Sequence, residues 1–273
     1  MLKISSTSAL VINWTDQHLY QGKKTKQYIE ALDLSEGDVL LNALDKAQHF
    51  MHTQAISARK YFMLSKASAF LEDCQNKNTC GQVVIMAAGL SPISASLAEQ
   101  FPKSRIYDLD LYSMEEKSGL LNNLFSNISF IKTDLNNIAH WSAELIKNNF
   151  DYALPTLVIF EGIVYYLEKE VLINLLKWCK AQDASIIGDF CLPPELIHED
   201  YQIYPFRVFE VIRNTLLLPP ITFYSRNEFC ALLNESGYKE KEVESLPEIH
   251  LQRTGNQHPF EISNSGWIDF WTC

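Results

Sequence analysis

Short apolar runs alternate with longer segments of helical spacing through the middle of the chain. The apolar runs predict five strands, at Val83–Met86, Arg105–Tyr107, Ile128–Lys132, Thr156–Phe160 and Ala184–Phe190. The segments between them predict helices, at Ile93–Phe101, Leu111–Leu124, Ile138–Ile146 and Lys169–Lys180. Apolar strands that alternate with helices are typical of a parallel sheet covered on both faces. The pattern therefore predicts an α/β fold with a doubly wound, mostly parallel, Rossmann-like sheet.

The segments on either side of this core show a different pattern. Residues 1–80 predict helices, with helical apolar spacing from Asp38 to Leu71 and a polar break at Asn76–Thr79. Beyond Cys191 the alternation weakens, and a stretch rich in aromatic residues and interrupted by Pro205 predicts a cap beside the open edge of the sheet. We expect a single domain with a helical part (1–80), a core (81–190) and a cap with the final strands (191–273).

The segment Ser225–Glu235 carries the signals of a capped helix. Ser225 is a suitable N-cap residue, and Glu228 follows it at the spacing of a capping box. Gly237 stands where a glycine commonly ends a helix.

The charge balance narrows the classes of partner. A net charge of −10 argues against a surface that follows nucleic-acid phosphates. The one short basic stretch, Gly22–Lys26, indicates a solvated loop or a helix start. The N-terminus lacks the apolar region of a signal peptide, and no segment reaches the about 18 apolar residues of a membrane helix. We expect a cytoplasmic protein that neither spans a membrane nor binds nucleic acid.

The six cysteines predict reduced thiols. None forms a CxxC pair, and a chain of 273 residues is long enough to bury a core without disulfides. The cysteines are Cys74, Cys80, Cys179, Cys191, Cys230 and Cys273. Because no ligands cluster around them, we expect no bound metal.

Small residues follow the first predicted strand. In an open parallel sheet, ligands bind beyond the carboxyl ends of the strands. Gly89, in Ala87-Ala88-Gly89, would let the backbone approach a nucleoside, although a glycine there can also simply end the strand. A second glycine at the spacing of a pyrophosphate-binding loop is absent from the sequence, which argues against a dehydrogenase that uses a dinucleotide.

Carboxylates follow the next three strands. Asp108 and Asp110 come about twenty residues after the glycine, the distance at which an acidic side chain binds ribose hydroxyls. Asp134 could accept a hydrogen bond from an adenine amine, with Leu135 against the ring, or it could cap the next helix. Glu161 directly follows an apolar strand, where its charge needs a ligand as partner unless the side chain reaches solvent.

Four stretches together resemble the leucine carboxyl methyltransferase family. They are Ser57–Lys60, Val83–Leu90, Tyr107–Leu111 and Pro155–Leu167. The last is the most specific, since it resembles that family's order of proline–threonine, apolar strand, glutamate and tyrosine. The resemblance implies a class I methyltransferase fold with S-adenosylmethionine as cofactor, and a seven-stranded sheet whose last strand is antiparallel.

The resemblance also implies which residues hold the cofactor. Arg59 would pair with the methionine carboxylate, and Gly89 would lie under the nucleoside. Asp110 would hold the ribose, with Asp108 as the alternative.

Four further residues receive roles in the same way. Asp134 and Leu135 would contact adenine. Glu161 would face the methionine moiety and its ammonium, and Tyr166 would lie near the transferring methyl group.

The chain departs from the family pattern in one loop. Ala87-Ala88-Gly89 stands where family members read Gly-Ala-Gly, and Ser91-Pro92-Ile93 stands where they have an acidic residue, threonine and arginine. Alanine still allows close approach of a ligand, so we expect a reshaped loop rather than a lost site.

These observations predict an O-methyltransferase that acts on a hydroxyl or carboxylate of a small molecule, in secondary metabolism. A carboxylate acceptor needs no base, whereas a hydroxyl acceptor needs one, and His198, His250 or Tyr204 could serve. The aromatic residues beyond Cys191 favour a planar or apolar acceptor. Two alternatives stay open: methylation of a protein C-terminal carboxylate, and a non-catalytic binding protein with a methyltransferase fold.

Overall fold

The computed structural model of the chain describes residues 2–215, 221–260 and 266–273. The strands are β1 (Leu2–Lys3), β2 (Leu32–Asp33), β3 (Gln82–Met86), β4 (Arg105–Asp110), β5 (Ile128–Lys132), β6 (Thr156–Phe160), β7 (Ser185–Cys191), β8 (Glu242–Ser245) and β9 (Ile268–Thr272). The helices are α1 (Ser6–Asn13), α2 (Lys23–Glu30), α3 (Ser35–Leu41), α4 (Lys46–Asn76), α5 (Ile93–Gln100), α6 (Met114–Leu121), α7 (Ile138–Lys147), α8 (Lys169–Ala181), α9 (Glu199–Thr215), α10 (Arg226–Glu235) and α11 (Leu246–Thr254).

Seven of the strands form one sheet in the order β5-β4-β3-β6-β7-β9-β8. The first five of these are parallel to one another, and β9 is antiparallel to both of its neighbours. The chain runs outward from β3 to β5 and then returns to the other side of β3, so the strand order reverses between β3 and β6. The predicted doubly wound, mostly parallel sheet is confirmed, as is the antiparallel last strand implied by the resemblance.

The helices cover both faces of the sheet. Neighbouring residues of β4 point to opposite faces. Asp108 contacts Ser94 of α5 on one face, while Tyr107 packs with Phe150 and, through it, with Trp178 of α8 on the other. This double cover explains why the central strands β3 and β6 are buried at every position and mostly apolar, and why their positions were predictable.

The structure divides the predicted N-terminal helical segment in two. α3 ends at Leu41, and α4 begins only after Asp45, whose carboxylate accepts a hydrogen bond from the Gln48 backbone N–H. Such a side-chain cap starts a new helix. The turn between the helices lets Leu44 pack with Trp14 in a separate hydrophobic cluster. The basic stretch after Gly22 is the start of α2.

The cap contains a long helix where an interruption was expected. α9 continues through Pro205, so the prediction that this proline breaks the segment was wrong. A proline removes a hydrogen bond from a helix interior. Here Val208 and Ile212 bury their side chains with Leu10 of α1, and this packing holds the helix together.

The predicted helix after Tyr224 is confirmed in detail. Ser225 and Glu228 form a reciprocal capping box at the start of α10. Gly237, just beyond the helix, has a φ of 96°, a conformation that favours glycine.

No helix within the described ranges is sufficiently long and apolar to cross a membrane. All six cysteines are free, and Cys74, Cys179 and Cys191 are buried. Within 2–215, 221–260 and 266–273, no three His, Cys, Asp or Glu residues group as metal ligands would.

Candidate active site

A cavity of about 430 Å³ lies at the carboxyl edge of the sheet, where the strand order reverses. Its charged end is built from the loops after β3, β4 and β6 and from one face of α4. Much of the remaining wall is apolar and comes from α1, α4 and α9. The polar residues at the charged end are Arg59, Lys60, Ser91, Asp110 and Glu161, and the apolar wall contains Leu10, Val11, Ile12, Trp14, Ile56, Val208, Phe209 and Ile212.

Asp110 holds the loop that follows β3. Its Oδ2 accepts a hydrogen bond from the Gly89 N–H at 2.9 Å, and its Oδ1 accepts one from the Tyr112 N–H at 2.7 Å. Burial raises the pKa of this carboxyl, while the two N–H groups oppose the rise. A carboxylate has about four lone-pair sites, so Asp110 can still accept hydrogen bonds from a ligand. A Cβ built on Gly89 would have no atom within 4 Å, so the space above this residue is open.

Arg59 and Glu161 face each other at the charged end. The Arg59 Nε lies 3.2 Å from Glu161 Oε1, and its Nη1 donates a hydrogen bond to the Tyr165 hydroxyl at 3.3 Å. Burial by itself would raise the pKa of the Glu161 carboxyl, but the charges of Lys60 and Arg59 outweigh it and lower the pKa below its ordinary value. Glu161 is therefore charged at neutral pH.

Lys60 completes this charged group. Its Nζ lies 2.6 Å from Glu161 Oε1 and donates a hydrogen bond to the Ser91 hydroxyl at 2.9 Å. The residue is only 2% exposed, so its ammonium depends on these partners rather than on water. Burial lowers the pKa of Lys60, and the Glu161 carboxylate opposes that shift.

Asp189, on β7, supports the loop after β6. Its Oδ1 accepts a hydrogen bond from the Gly162 N–H at 2.8 Å, and its Oδ2 lies 3.9 Å from the Arg59 Nη1. Gly162 has a φ of 66°, and a Cβ there would lie 3.3 Å from the Arg59 guanidinium. The buried Oδ2 has no hydrogen-bond partner among the described residues. Burial raises the pKa of the Asp189 carboxyl to about 6, against the effect of Arg59.

The fold brings five of the predicted site residues to one cavity. Arg59, Gly89, Asp110, Glu161 and Tyr166 all line it, although they come from four separate parts of the chain. This is the arrangement expected when ligands bind at the reversal of strand order. Their roles toward a cofactor stay predictions.

Asp108, the alternative ribose ligand, does not line the cavity. Its side chain is fully buried in an ion pair with Lys117, whose Nζ lies 2.8 Å from Oδ2, and it accepts a hydrogen bond from Ser94 at 2.6 Å. Asp108 lies inside β4, where its side chain is buried beneath the helices, whereas Asp110 is the last residue of the strand and reaches the cavity at its end.

Asp134 and Leu135 also lie outside the cavity lining. They follow β5, the neighbour of β4, and the Asp134 carboxylate accepts hydrogen bonds from the backbone and side chain of Asn136. The alternative role as a helix cap was wrong, because Asn137 caps α7. Leu135 is buried in the main core rather than open to a ligand.

The three candidates for a base are not among the residues that line the cavity. His198 sits beside Asp200 at the surface, with its Nδ1 3.5 Å from the carboxylate. The His250 ring is held by the carbonyl oxygen of His258 at 2.8 Å. Tyr204 turns its ring against Trp267. None of the three lines the cavity, so position does not support a role as base.

His52, which the sequence analysis did not single out, lines the cavity instead. Its ring stacks on Trp14 with centroids 4.8 Å apart, and its Nε2 lies 3.1 Å from the carbonyl oxygen of Tyr204. Burial lowers the pKa of His52 to about 4, so the ring is neutral at pH 7. Because a carbonyl oxygen only accepts hydrogen bonds, Nε2 carries the hydrogen of the neutral ring. Nδ1 is therefore unprotonated and keeps its lone pair.

Two features of the sequence could have identified His52 and Asp189 as candidate site residues. His52 precedes Arg59 by seven positions, about two helical turns, so the two share one face of α4. Asp189 interrupts an otherwise apolar strand, which marks a buried charge in need of a partner.

Sequence comparison agrees with this geometry. A model of the leucine carboxyl methyltransferase family matches residues 16–180. The chain belongs to the leucine carboxyl methyltransferase family. It is therefore an S-adenosylmethionine-dependent methyltransferase by family. No curated protein matches this family member in sequence.

Two solved structures share the fold of this leucine carboxyl methyltransferase family member. A candidate methyltransferase from Thermobifida fusca superposes with a TM-score of 0.66 at 12% identity, over 99% of this chain and 94% of that one. A DUF574-family protein from Streptomyces avermitilis gives a TM-score of 0.58 at 12% identity, over 98% of this chain and 97% of that one. At such low identity the likeness establishes the fold alone.

Proposed function

We propose that this family member is an S-adenosylmethionine-dependent O-methyltransferase for a small, largely apolar acceptor that carries a hydroxyl group. One observation carries the proposal. A single cavity joins a charged end at Arg59 and Glu161 to an apolar wall from α1 and α9. We further propose that the chain forms one domain, because its main core draws on residues from all three segments.

The residues at the charged end fit the cofactor. The Asp110 carboxylate would hold the ribose hydroxyls, and the open space over Gly89 admits the nucleoside. The Arg59 guanidinium would pair with the carboxylate of the methionine moiety. When bound, S-adenosylmethionine supplies an electrophilic methyl group on a sulfonium sulfur.

The residues of this chain align the acceptor and exclude water. The apolar side chains of α1 and α9 surround the acceptor, which replaces water by a fixed environment. His52 would accept the hydroxyl proton at Nδ1 as the acceptor oxygen becomes methylated. Because burial lowers the pKa of His52 to about 4, the ring holds this proton only weakly and releases it when the product leaves and water re-enters the cavity.

Calorimetric titration with S-adenosylhomocysteine tests the cofactor assignment, with NADH as the control ligand. We expect saturable binding of S-adenosylhomocysteine alone, weakened at least about tenfold in Arg59→Met because a charge-assisted hydrogen bond is lost. Arg226→Met is the matched control, because Arg226 pairs with Asp269 outside the cavity. Failure of the folded wild-type protein to bind, or equal binding by Arg59→Met, would sink the assignment.

Matched acceptors test the hydroxyl assignment. 1-Naphthol and 1-naphthoic acid share a skeleton, and mass spectrometry distinguishes the methyl ether from the methyl ester. We expect ether formation, lowered about a hundredfold or more in His52→Phe while binding of S-adenosylhomocysteine is unchanged. Ester formation that is insensitive to His52→Phe would replace the hydroxyl by a carboxylate acceptor.

A further inference from the structure

The ammonium of Lys60 occupies the place at Glu161 where a ligand's ammonium is expected. Its Nζ lies 2.6 Å from Glu161 Oε1 and also donates a hydrogen bond to the Ser91 hydroxyl at 2.9 Å. Ser91 belongs to the loop in which this chain departs from the family pattern. Ser91 thus gives Lys60 a neutral partner where the family pattern has an acidic residue.

Glu161 is already shared by two cations of the protein. The Arg59 Nε lies 3.2 Å from the same Oε1 atom that Lys60 contacts. The second carboxylate of the group, Asp189, lies 3.9 Å from the Arg59 Nη1. The buried group thus contains two cationic and two acidic side chains. Both contacts are made at Oε1, so Glu161 has two cationic partners from the protein before any ligand binds.

Lys60 has little room to leave this position. It is 2% exposed and lies at the charged end of the cavity, with Glu161 and Ser91 as its partners. Away from Glu161 it would keep only the neutral Ser91 hydroxyl as a partner. Moving toward α6 would bring it closer to Lys117, another buried cation. Displacement of Lys60 by a ligand's ammonium is therefore unfavourable.

We propose that Lys60 serves as a built-in substitute for the ligand's ammonium, so that this site selects adenosyl ligands by their carboxylate and not by their α-amino group. The proposal rests on the proposed function, in which Arg59 holds that carboxylate. Lys60 is a specificity-determining residue in this scheme. The ligand class is adenosyl thioethers and sulfonium compounds that end in a carboxylate, with or without an α-amino group.

A cycle of two ligands and two proteins tests this assignment. The ligands are S-adenosylhomocysteine and its desamino analogue, in which hydrogen replaces the α-amino group. Calorimetry measures both dissociation constants in the wild-type protein and in Lys60→Gln, whose amide can still contact Ser91 but carries no charge. We expect the wild type to bind the two ligands within about threefold of each other, whereas Lys60→Gln prefers S-adenosylhomocysteine at least about tenfold.

Lys66→Gln is the matched control, since Lys66 lies on the same helix but pairs with Glu244 outside the cavity. It should behave as the wild type does. A wild-type preference for S-adenosylhomocysteine of tenfold or more overturns the role of Lys60 and leaves the proposed function standing, and this measurement needs no variant. Absence of binding for both ligands in folded wild-type protein overturns the proposed function and the role of Lys60 together.

Discussion

Ala87 adopts a backbone conformation that an alanine side chain disfavours. Its φ is 53°, in the left-handed region, where an L-residue other than glycine is strained by about 1–2 kcal/mol. The residue sits at the start of the loop that carries Gly89, at the position where family members have glycine. Strain of this kind persists only where the surrounding structure enforces it.

Replacing Ala87 by glycine should stabilise the protein. Relief of the strain outweighs the added freedom of the unfolded chain, for a net gain of about 0.5–1 kcal/mol and a rise in Tm of about 1–3 °C. Differential scanning calorimetry measures the shift. Ala88→Gly is the control: Ala88 has no positive φ, so this change should lower Tm. A lower Tm in Ala87→Gly would contradict the strain.

The buried Asp189 carboxyl makes stability depend on pH. Its pKa in the folded protein is about 6, above the ordinary value near 4 in the unfolded chain. Between these values the folded protein binds more protons than the unfolded chain, so the contribution of Asp189 to stability falls as pH rises. The fall is complete above pH 6.

Asp189→Asn should remove this dependence. Asparagine keeps the oxygen that accepts from the Gly162 N–H but cannot ionise. The quantity to compare is the free energy of unfolding of Asp189→Asn minus that of the wild type. We expect this difference to increase by up to about 3 kcal/mol as the pH rises from 4 to 7. Urea unfolding of both proteins at several pH values measures the difference. A difference that is constant with pH would show that Asp189 keeps an ordinary pKa, and one that shrinks would show a pKa below the ordinary value.

For single residues, the sequence predicted membership of the site from the residue type and from its position relative to the strands. Glu161 was recognisable because a charge directly after an apolar strand needs a partner, and Asp110 because it ends a strand. Lys60 and His52 were not recognised, since their significance arises from one face of α4 meeting loops distant in sequence. The sequence also could not show which of Asp108 and Asp110 faces the cavity until the end of β4 was known.

Among the elements, α6 is tied to β4 by a fully buried ion pair. The Lys117 Nζ lies 2.8 Å from Asp108 Oδ2, and both side chains have 0% exposure. A buried pair need not add stability compared with apolar residues, but removing one partner leaves the other charge uncompensated.

Lys117→Met should therefore destabilise the protein by about 3–5 kcal/mol, as measured by urea unfolding. The double variant Asp108→Asn/Lys117→Met should recover part of this loss, because no charge is left behind. Lys132→Met is the control, because Lys132 forms an exposed ion pair with Glu115 and its loss should have little effect. Equal stability of Lys117→Met and the wild type would refute the coupling.

Elements were predicted well where burial on both sides made the pattern simple. Strands β3 and β6 are buried at every position and consist mostly of apolar residues, and their positions follow from that pattern. The helix boundary at Asp45 was harder to predict, because a capping side chain can divide one helical pattern into two helices. The continuous helix through Pro205 was also harder to predict, because tertiary packing stabilises it despite the proline. In both cases the decisive contacts join the cluster of Trp14 and Ile212, whose members come from both flanking segments.

The whole molecule assembles the cavity from layers that are far apart in the chain. α1, α4 and α9 form its wall, and the strand ends form its charged end. Local pattern could predict the sheet and place its site at the strand ends, but it could not show that α1 and α9 meet above it.

A ligand held between these layers should stabilise all of them together. At a concentration about one hundred times its dissociation constant, S-adenosylhomocysteine should add about 2.7 kcal/mol. For a chain of this size, that corresponds to a rise in Tm of about 5–10 °C. Thermal denaturation followed by circular dichroism measures the shift. NADH should produce none, and an equal effect of NADH would contradict the cofactor class.

Helix α4 has a consequence for how new acceptors could be acquired during evolution. His52 and Ile56 face the apolar part of the cavity from the same rigid helix that carries Arg59. The helical rise separates His52 from Arg59 by about 10 Å along the axis. Substitution of Ile56, with His52 kept as the proposed base, would alter the acceptor that the cavity prefers and leave Arg59 in place. A library randomised at position 56 alone is the natural start for redesign.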